Sequence, residues 1–362
     1  MNVNLSNINL SRLRLGGINL SEIKLGMPSG KGTGGEETFD PASFDQAWSV
    51  TGKTNDDEDC DTIKNLSGNG NDLVLSNFAF AEESGYGLYQ QNFNKERWVI
   101  ATPSRVEATK TNSSFNVTKV KSTSIQLYYL SKQEEVAFTV TSTKVRVVGL
   151  TDGQSVNYRY FIDGVANDFL ISSDGIYDLP KFEFPAKGNY YGFNFTKIQD
   201  SCNITIEQIP DYEGYLVTDG VDDSVRSYFS FKLENNWTIV GDWKLLSSVY
   251  KAAGIVKPNQ FYIYNDKTSL NLYVKQGKEG FNYNKKTFYA LTSDGKLYDD
   301  NWNEILVDPV GTSVDILSKL SIGSNGNNYV QMIFKNLAIY NCILTKNQCI
   351  KAYNYLQTLK EK

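Results

Sequence analysis

The sequence predicts a mainly β protein closed by a single helix at its C-terminal end. Three observations predict it. Aromatic residues reach 13%, with 23 Tyr and 19 Phe, and Gly, Asn, Ser and Thr are frequent. Such a mixture suits short strands joined by tight turns. Asp-Gly pairs recur at 152/153, 163/164 and 174/175 between runs that alternate apolar and polar residues, the pattern of hairpins. Convincing helical spacing occurs once, in "TKNQCIKAYNYLQTLKEK" (345–362). There Thr345 is placed as the N-cap, and Cys349, Ile350, Tyr353, Leu356 and Leu359 fall near helical spacing.

The chain opens on a repeated phrase, "INLSRLRLGG INLSEIKLGM" (8–27). Ile8 and Leu10, Leu13 and Leu15, Ile18 and Leu20, and Ile23 and Leu25 are each two residues apart, which is strand spacing. Each copy ends in glycine, so the segment is expected to form short strands with turns. Eight branched aliphatics in so short a stretch cannot close a core of their own. They must pack on another chain or on the rest of this one. The Gly-rich "PSGKGTGGEE" (28–37) reads as a flexible linker, which lets the segment reach a separate partner. Next, "SGNGND" (67–72) is dense turn chemistry, and "LVLSNFAF" reads as a strand. From 105 to 208 the strand-and-turn spacing predicts a separate small β-sandwich of about 90–100 residues. Further strands follow through "WTIVGDW", "QFYIYND", "LNLYVKQ" and "YVQMIFKNLAIYN" before the helix.

Bulk properties exclude several function classes. Net charge is −5 with 21% charged residues, which argues against a nucleic-acid partner because phosphate binding wants clustered Lys and Arg. No apolar run is long enough to span a membrane. The first 26 residues alternate and lack a continuous apolar stretch, so no secretory signal is expected. Cys60, Cys202, Cys342 and Cys349 have no metal-like or disulfide-framework spacing and are expected to be reduced thiols. The chain has no histidine, which rules out Ser-His-Asp and Cys-His catalysis and His-ligated zinc.

Three phrases in order resemble the concanavalin A-like, laminin-G-type jelly roll. They are "NLSGNGNDLVL" (65–75), "LVTDGVDDSV" (216–225) and "FKNLAIYNCILTKNQCIKAYNYL" (334–356). The likeness covers about 39–104 and 209–362. Thr218 and Ser224 depart from the Phe and Tyr common in that family. The block between the first two phrases is far longer than in the simple family. The resemblance therefore implies a concanavalin A-like jelly-roll sandwich in two parts, 39–104 and 209–362, with an inserted β-sandwich at 105–208. Residues 1–27 form the short β anchor and 28–38 the linker.

The leader repeat, "SGNGNDLVLSNFAFAEESGYG" and "NITIEQIPDYEGYLVTDGVDD" also resemble fibre proteins of tailed phages of Bacteroides-type gut bacteria, including the crAss-like group. This resemblance implies a virion-surface protein made in the host cytoplasm. It would be attached to a phage capsid or tail protein through 1–27, assembled as a homotrimer or homodimer, and able to meet bacterial-surface or mucus glycans. No membrane insertion and no cofactor are implied.

Site chemistry is sparse. "NDDEDCD" (55–61) lacks the Gly and Glu that an EF-hand loop beginning at Asp57 needs, since Thr62 and Gly68 stand there. Asp222 and Asp223 are candidate calcium ligands, as in some laminin-G-type modules, or turn caps. The E-x-D-x-x-E string of retaining glycosidases on this fold is missing. Glu36-Glu37, Glu82-Glu83 and Glu134-Glu135 are adjacent pairs that would point to opposite faces if extended. "SGKGTGG" (29–35) and "GNG" (68–70) fail the phosphate-loop and dinucleotide patterns. Trp237, Trp243, Trp302, Tyr86 and Tyr89 are candidates for stacking on sugar rings; filling a sandwich core is the alternative. No enzyme activity is expected.

Overall fold

A computed structural model describes residues 39–360, apart from 102, 104–105, 121–123, 133–135, 187, 197–200, 247–252, 258–260, 267–268, 275–280, 284–286, 307–317 and 326–327, together with short strands at 14–15 and 18–19. The chain forms two compact units, Met1–Asp40 and Pro41–Lys362. In the first, Arg14–Leu15 pairs antiparallel with Ile18–Asn19, and Leu15 stands opposite Ile18. Strand pairing, expected from the spacing of two, is what this part of the repeat adopts. Ile8, Leu10, Leu13, Leu20, Ile23, Leu25 and the linker 28–38 lie outside the described residues.

The second unit is mainly β and holds two sandwiches with separate cores, one of them jelly-roll-like and ending in the helix. One sheet of the first sandwich runs Glu304–Leu306, Lys296–Tyr298, Ala290–Thr292, Thr238–Leu245, Met332–Tyr340, Asp211–Val217 and Gly85–Leu88, with Gln46–Ser49 also paired to Met332–Tyr340. The other runs Phe281–Tyr283, Ser269–Val274, Phe261–Asp266, Ala253–Lys257, Ser321–Ile322, Ser224–Ser227, Leu73–Ser76 and Thr62–Ile63. Trp48, Leu75, Trp243, Ile322 and Phe334, from both sheets, share one buried cluster.

Met332–Tyr340 organises this sandwich. It pairs with Thr238–Leu245 along its length, while Val217 and Leu216 and then Gln46–Ser49 share its opposite edge. Eight of its nine residues are buried. Such a strand reads as a nearly continuous apolar run because both of its faces are covered. The helix Lys346–Leu356 packs on Thr238–Leu245 and on Met332–Tyr340. Thr345 and Gln348 form a capping box at its start, and Cys349, Ala352 and Leu356 are buried. The helix stops at Leu356, short of the 362 expected from spacing.

The second sandwich pairs Val165–Ile171, Ser155–Ile162, Tyr190–Thr196, Ser124–Leu130 and Trp98–Ile100 in one sheet. Gly175–Leu179, Thr143–Val148, Ser201–Ile209, Ser114–Val120 and Val106–Lys110 form the other. Phe93, Trp98, Phe115, Phe193 and Ile206 belong to its core, so the chain enters this sandwich before residue 105. Asp163 and Gly164 both have positive φ, +50° and +77°. That is the two-residue hairpin turn expected from Asp-Gly, and it joins Ser155–Ile162 to Val165–Ile171.

The insertion leaves and re-enters the host along adjacent strands. Leu88 pairs with Asp211, Tyr86 with Leu216 and Gly85 with Val217. Gly87 has φ of +84°, and a Cβ there would come within 2.6 Å of Pro210 Cγ. Two connecting segments can run this close only because the position carries no side chain. An insertion whose ends are hydrogen-bonded neighbours places no strain on its host.

Thr218 is 1% exposed. Its hydroxyl donates to Val330 O at 2.6 Å and accepts from Met332 N at 2.9 Å. Thr218→Val keeps the shape and removes both bonds, and should cost about 1–3 kcal/mol in urea unfolding. An unchanged midpoint would remove this hydroxyl from the account of how the Met332–Tyr340 strand is seated.

Candidate functional site

Burial reassigns most of the aromatic candidates. Trp243 and Trp237 are 2% and 3% exposed, and Tyr86 is 5% exposed with its hydroxyl donating to Cys60 O at 2.7 Å. All three fill the host core, so the core-filling alternative holds for them and sugar stacking does not. Tyr86 and Trp243 sit on inward-facing strand positions, and Trp237 lies just before the strand Thr238–Leu245. Trp302 is half-buried against Tyr289 and Tyr353 at 5.5 and 5.6 Å between ring centres. Tyr353 lies on the C-terminal helix, so Trp302 helps to seat that helix. Of the five, Tyr89 lines an open cleft.

That cleft holds about 410 Å³ and lies where the host strand Gly85–Leu88 passes into the inserted sandwich. One wall is Glu82, Glu83, Tyr89 and Gln90; the other is Tyr129 with Phe138–Thr141. Behind it, Tyr129 stacks on Tyr191 at 5.3 Å and meets Phe138 edge-on at 6.0 Å. The Thr141 hydroxyl donates to Gln90 Oε1 at 2.7 Å, and Gln90 Nε2 donates to Asp211 Oδ2 at 2.8 Å. The Lys95 ammonium pairs with Glu82, whose other oxygen accepts from Asn92 N at 2.7 Å. Burial pushes the Tyr89 hydroxyl upward from its ordinary value.

Glu82 and Glu83 correct an expectation. An extended adjacent pair points to opposite faces, yet both line this cleft. Glu83 has φ of +80°, so the backbone turns between them and alternation is lost. Glu82 is committed to Lys95 and Asn92 N, which leaves Glu83 as the exposed residue of the pair.

The floor of the junction is a pair of buried amides. Gln91 N donates to Gln208 Oε1 at 3.0 Å, and Gln208 Nε2 donates to Gln91 O at 2.5 Å. The Tyr191 hydroxyl donates to Gln91 Oε1 at 3.0 Å. Gln208 comes from the last strand of the insertion and Gln91 from its first connection, so this side chain satisfies backbone as a neighbouring strand would.

Asp219, Asp222 and Asp223 form a second cluster, with ligand atoms within 4.8 Å of one another. Asp219 Oδ1 accepts from Val221 N at 2.8 Å, Asp222 N at 3.3 Å and Asp223 N at 3.4 Å, so Asp219 caps this turn. Asp223 is fully buried; its Oδ2 accepts from Asp219 N at 2.8 Å, and its Oδ1 has no partner. The all-oxygen donor set fits a hard cation such as calcium, which would supply that missing partner. A proton supplies it equally, and burial pushes the Asp223 carboxyl up to about 7. All four cysteines are free, and burial pushes Cys349 up to about 12, which suits a packing residue.

Two outcomes are expected. Gln208→Leu leaves Gln91 N and O unpaired in the interior and should cost about 2–4 kcal/mol in equilibrium unfolding; a loss below about 0.5 kcal/mol would mean that water replaces the amide. The folded Asp223 pKa of about 7 lies above the ordinary 3.8, so its contribution is complete below about 4 and fades as pH rises through 7. In EDTA, the melting temperature of the native protein should therefore fall more between pH 5 and pH 8 than that of Asp223→Asn. Parallel curves would contradict the assignment.

No family model matches the chain, and no curated protein matches it. Among solved structures it is similar to Trypanosoma rangeli sialidase in complex with sialic acid, at 8% identity and a TM-score of 0.29, covering 82% of this chain and 68% of that one. It is also similar to truncated AlyQ with CBM32 and alginate lyase domains, at 9% identity and a TM-score of 0.25, covering 67% of this chain and 97% of that one. Likeness at this level carries no argument about activity, and the functional reading rests on this chain's own residues.

Proposed function

We propose that the chain is a structural subunit of a bacteriophage virion, a head or tail fibre or decoration protein with no enzymatic role. Residues 1–27 attach it to a capsid or tail protein by strand pairing, and the tandem sandwiches display a lectin-like surface to glycans. The observation that carries the binding half is the open aromatic and polar cleft where the two sandwiches join. Apolar sugar faces pack on aromatic surface while side-chain oxygens and amides take the hydroxyls. The attachment half is supported by the strand pair at 14–15 and 18–19, the repeated aliphatics and the Gly-rich linker. Strand addition draws affinity from main-chain hydrogen bonds and register from side-chain pockets. Two or three copies per fibre convert individually weak glycan contacts into avidity.

A purely structural role is the second reading. Val165, Leu170 and Ile176 are 65%, 62% and 58% exposed on the edge strands of the inserted sandwich, apolar side chains that another virion subunit could cover.

Deleting residues 1–27 should abolish incorporation into particles, read by immunoblot of purified virions, while residues 39–362 still fold. Assembly of the truncated chain at normal levels would refute the anchor. Residues 39–362, displayed as a multimer, should retain glycan or whole-cell binding. A blank glycan array and no cell binding would favour the structural role.

A further inference from the structure

We infer that the junction cleft takes an uncharged saccharide and turns away acidic sugars. This rests on the glycan-adhesion reading and deepens it by naming the ligand class of one site.

The charge pattern of the lining is the first support. Two carboxylates and one ammonium line the cleft, Glu82, Glu83 and Lys95, and no arginine does. The ammonium is already paired with Glu82. Recognition of a sugar carboxylate calls for a fixed cation, best a guanidinium with two parallel N–H groups. An acidic sugar entering this cleft would meet no unpaired cation among the lining residues and would face the exposed Glu83 carboxylate. A like charge disfavours its entry, and desolvating it without a partner adds to that cost.

Hydrogen-bond capacity points the same way. Thr139 Oγ1 donates to Glu183 Oε1 at 2.5 Å, and Thr141 Oγ1 donates to Gln90 Oε1 at 2.7 Å. Both threonine hydrogens are already spent on these bonds, so the two oxygens offer lone pairs to a ligand. Glu83 offers lone pairs as well. A lining rich in acceptors suits a ligand that brings donors. Sugar hydroxyls bring donors, whereas a carboxylate brings acceptors alone. Gln90 spends one amide hydrogen on Asp211 and keeps a second for a sugar oxygen.

Shape completes the case. Tyr89 and Phe138 are both half-buried and line the cleft with apolar ring surface. A volume of about 410 Å³ is at the small end of ligand sites and holds about one or two sugar rings. Tyr129, though part of the wall, is already stacked on Tyr191 and has the Arg97 guanidinium over its ring at 5.8 Å, so Tyr89 and Phe138 are the stacking candidates.

The test uses the full-length protein with three sets of oligosaccharides of matched length: neutral hexose and N-acetylhexosamine oligomers, uronic-acid oligomers and sialylated oligomers. Binding is read on an array and by titration calorimetry. Neutral oligomers should bind at least tenfold tighter than either acidic set. Phe138→Ala should weaken neutral binding at least tenfold. Glu83→Lys, an exposed change that leaves the core intact, should narrow or reverse the preference against uronic acids. Melting curves confirm that each variant is folded, and Glu83→Lys keeps the test open should Phe138→Ala unfold. Tighter binding of acidic oligomers, or neutral binding indifferent to Glu83→Lys and Phe138→Ala, overturns this inference while leaving glycan adhesion standing. Silence from all three sets overturns the adhesion reading and this inference together.

Discussion

The inserted sandwich is closed, where it meets its host, by the reciprocal bonds between Gln91 and Gln208. Both residues are nearly inaccessible to solvent, at 9% and 2% exposure. Each backbone group of Gln91 that the strand ladder leaves behind is taken up by the Gln208 side chain. A buried, unpaired peptide group costs as much as a lost hydrogen bond, so the pair permits the chain to change direction inside the protein. The insertion can then leave one host strand and return to the next without opening the host sheet. The cleft follows from the same geometry, because the segment preceding Gln91 and the strand Phe138–Val140 become its two walls.

The host depends in turn on Met332–Tyr340. Three other strands pair with it, and the C-terminal helix covers it. Its partners come from the beginning, middle and end of the second unit, so the host core closes only when distant parts of the chain have met. Contacts of this separation carry a large loop-closure cost and fold slowly. The inserted sandwich closes its own core within residues 93–206, although Phe115 pairs with Ile206 and Ser124 with Thr196.

Both candidate sites lie where regular structure is interrupted. Asn77, Phe80 and Glu83 all have positive φ, at 69°, 49° and 80°. The segment containing them reaches both candidate sites: Asn77 Nδ2 donates to Asp222 O at 3.1 Å, and Glu82 and Glu83 line the cleft. Side chains other than Gly pay about 1–3 kcal/mol for such conformations where context does not relieve them. The fold spends that strain on bringing two adjacent carboxylates to one surface.

Local chemistry made much of this protein readable from its residues. Thr345 with Gln348 marks the helix start, Asp163-Gly164 marks a hairpin, and the spacing of two in Leu13/Leu15 and Ile18/Leu20 marks strands, because each depends on a few neighbouring residues and their backbone preferences. Histidine chemistry was excluded by composition alone. What the residues could not show is which face of a strand looks inward and which distant groups meet. Trp237, Trp243 and Tyr86 carry the same kind of stacking surface as Tyr89, yet the closed fold buried three and left the fourth beside a cleft. The meeting of Gln91 with Gln208 likewise arises from a tertiary contact across more than a hundred residues. Sequence thus determined the elements and the chemistry available, and tertiary packing decided which of those groups share a site, because burial and long-range pairing are properties of the closed fold.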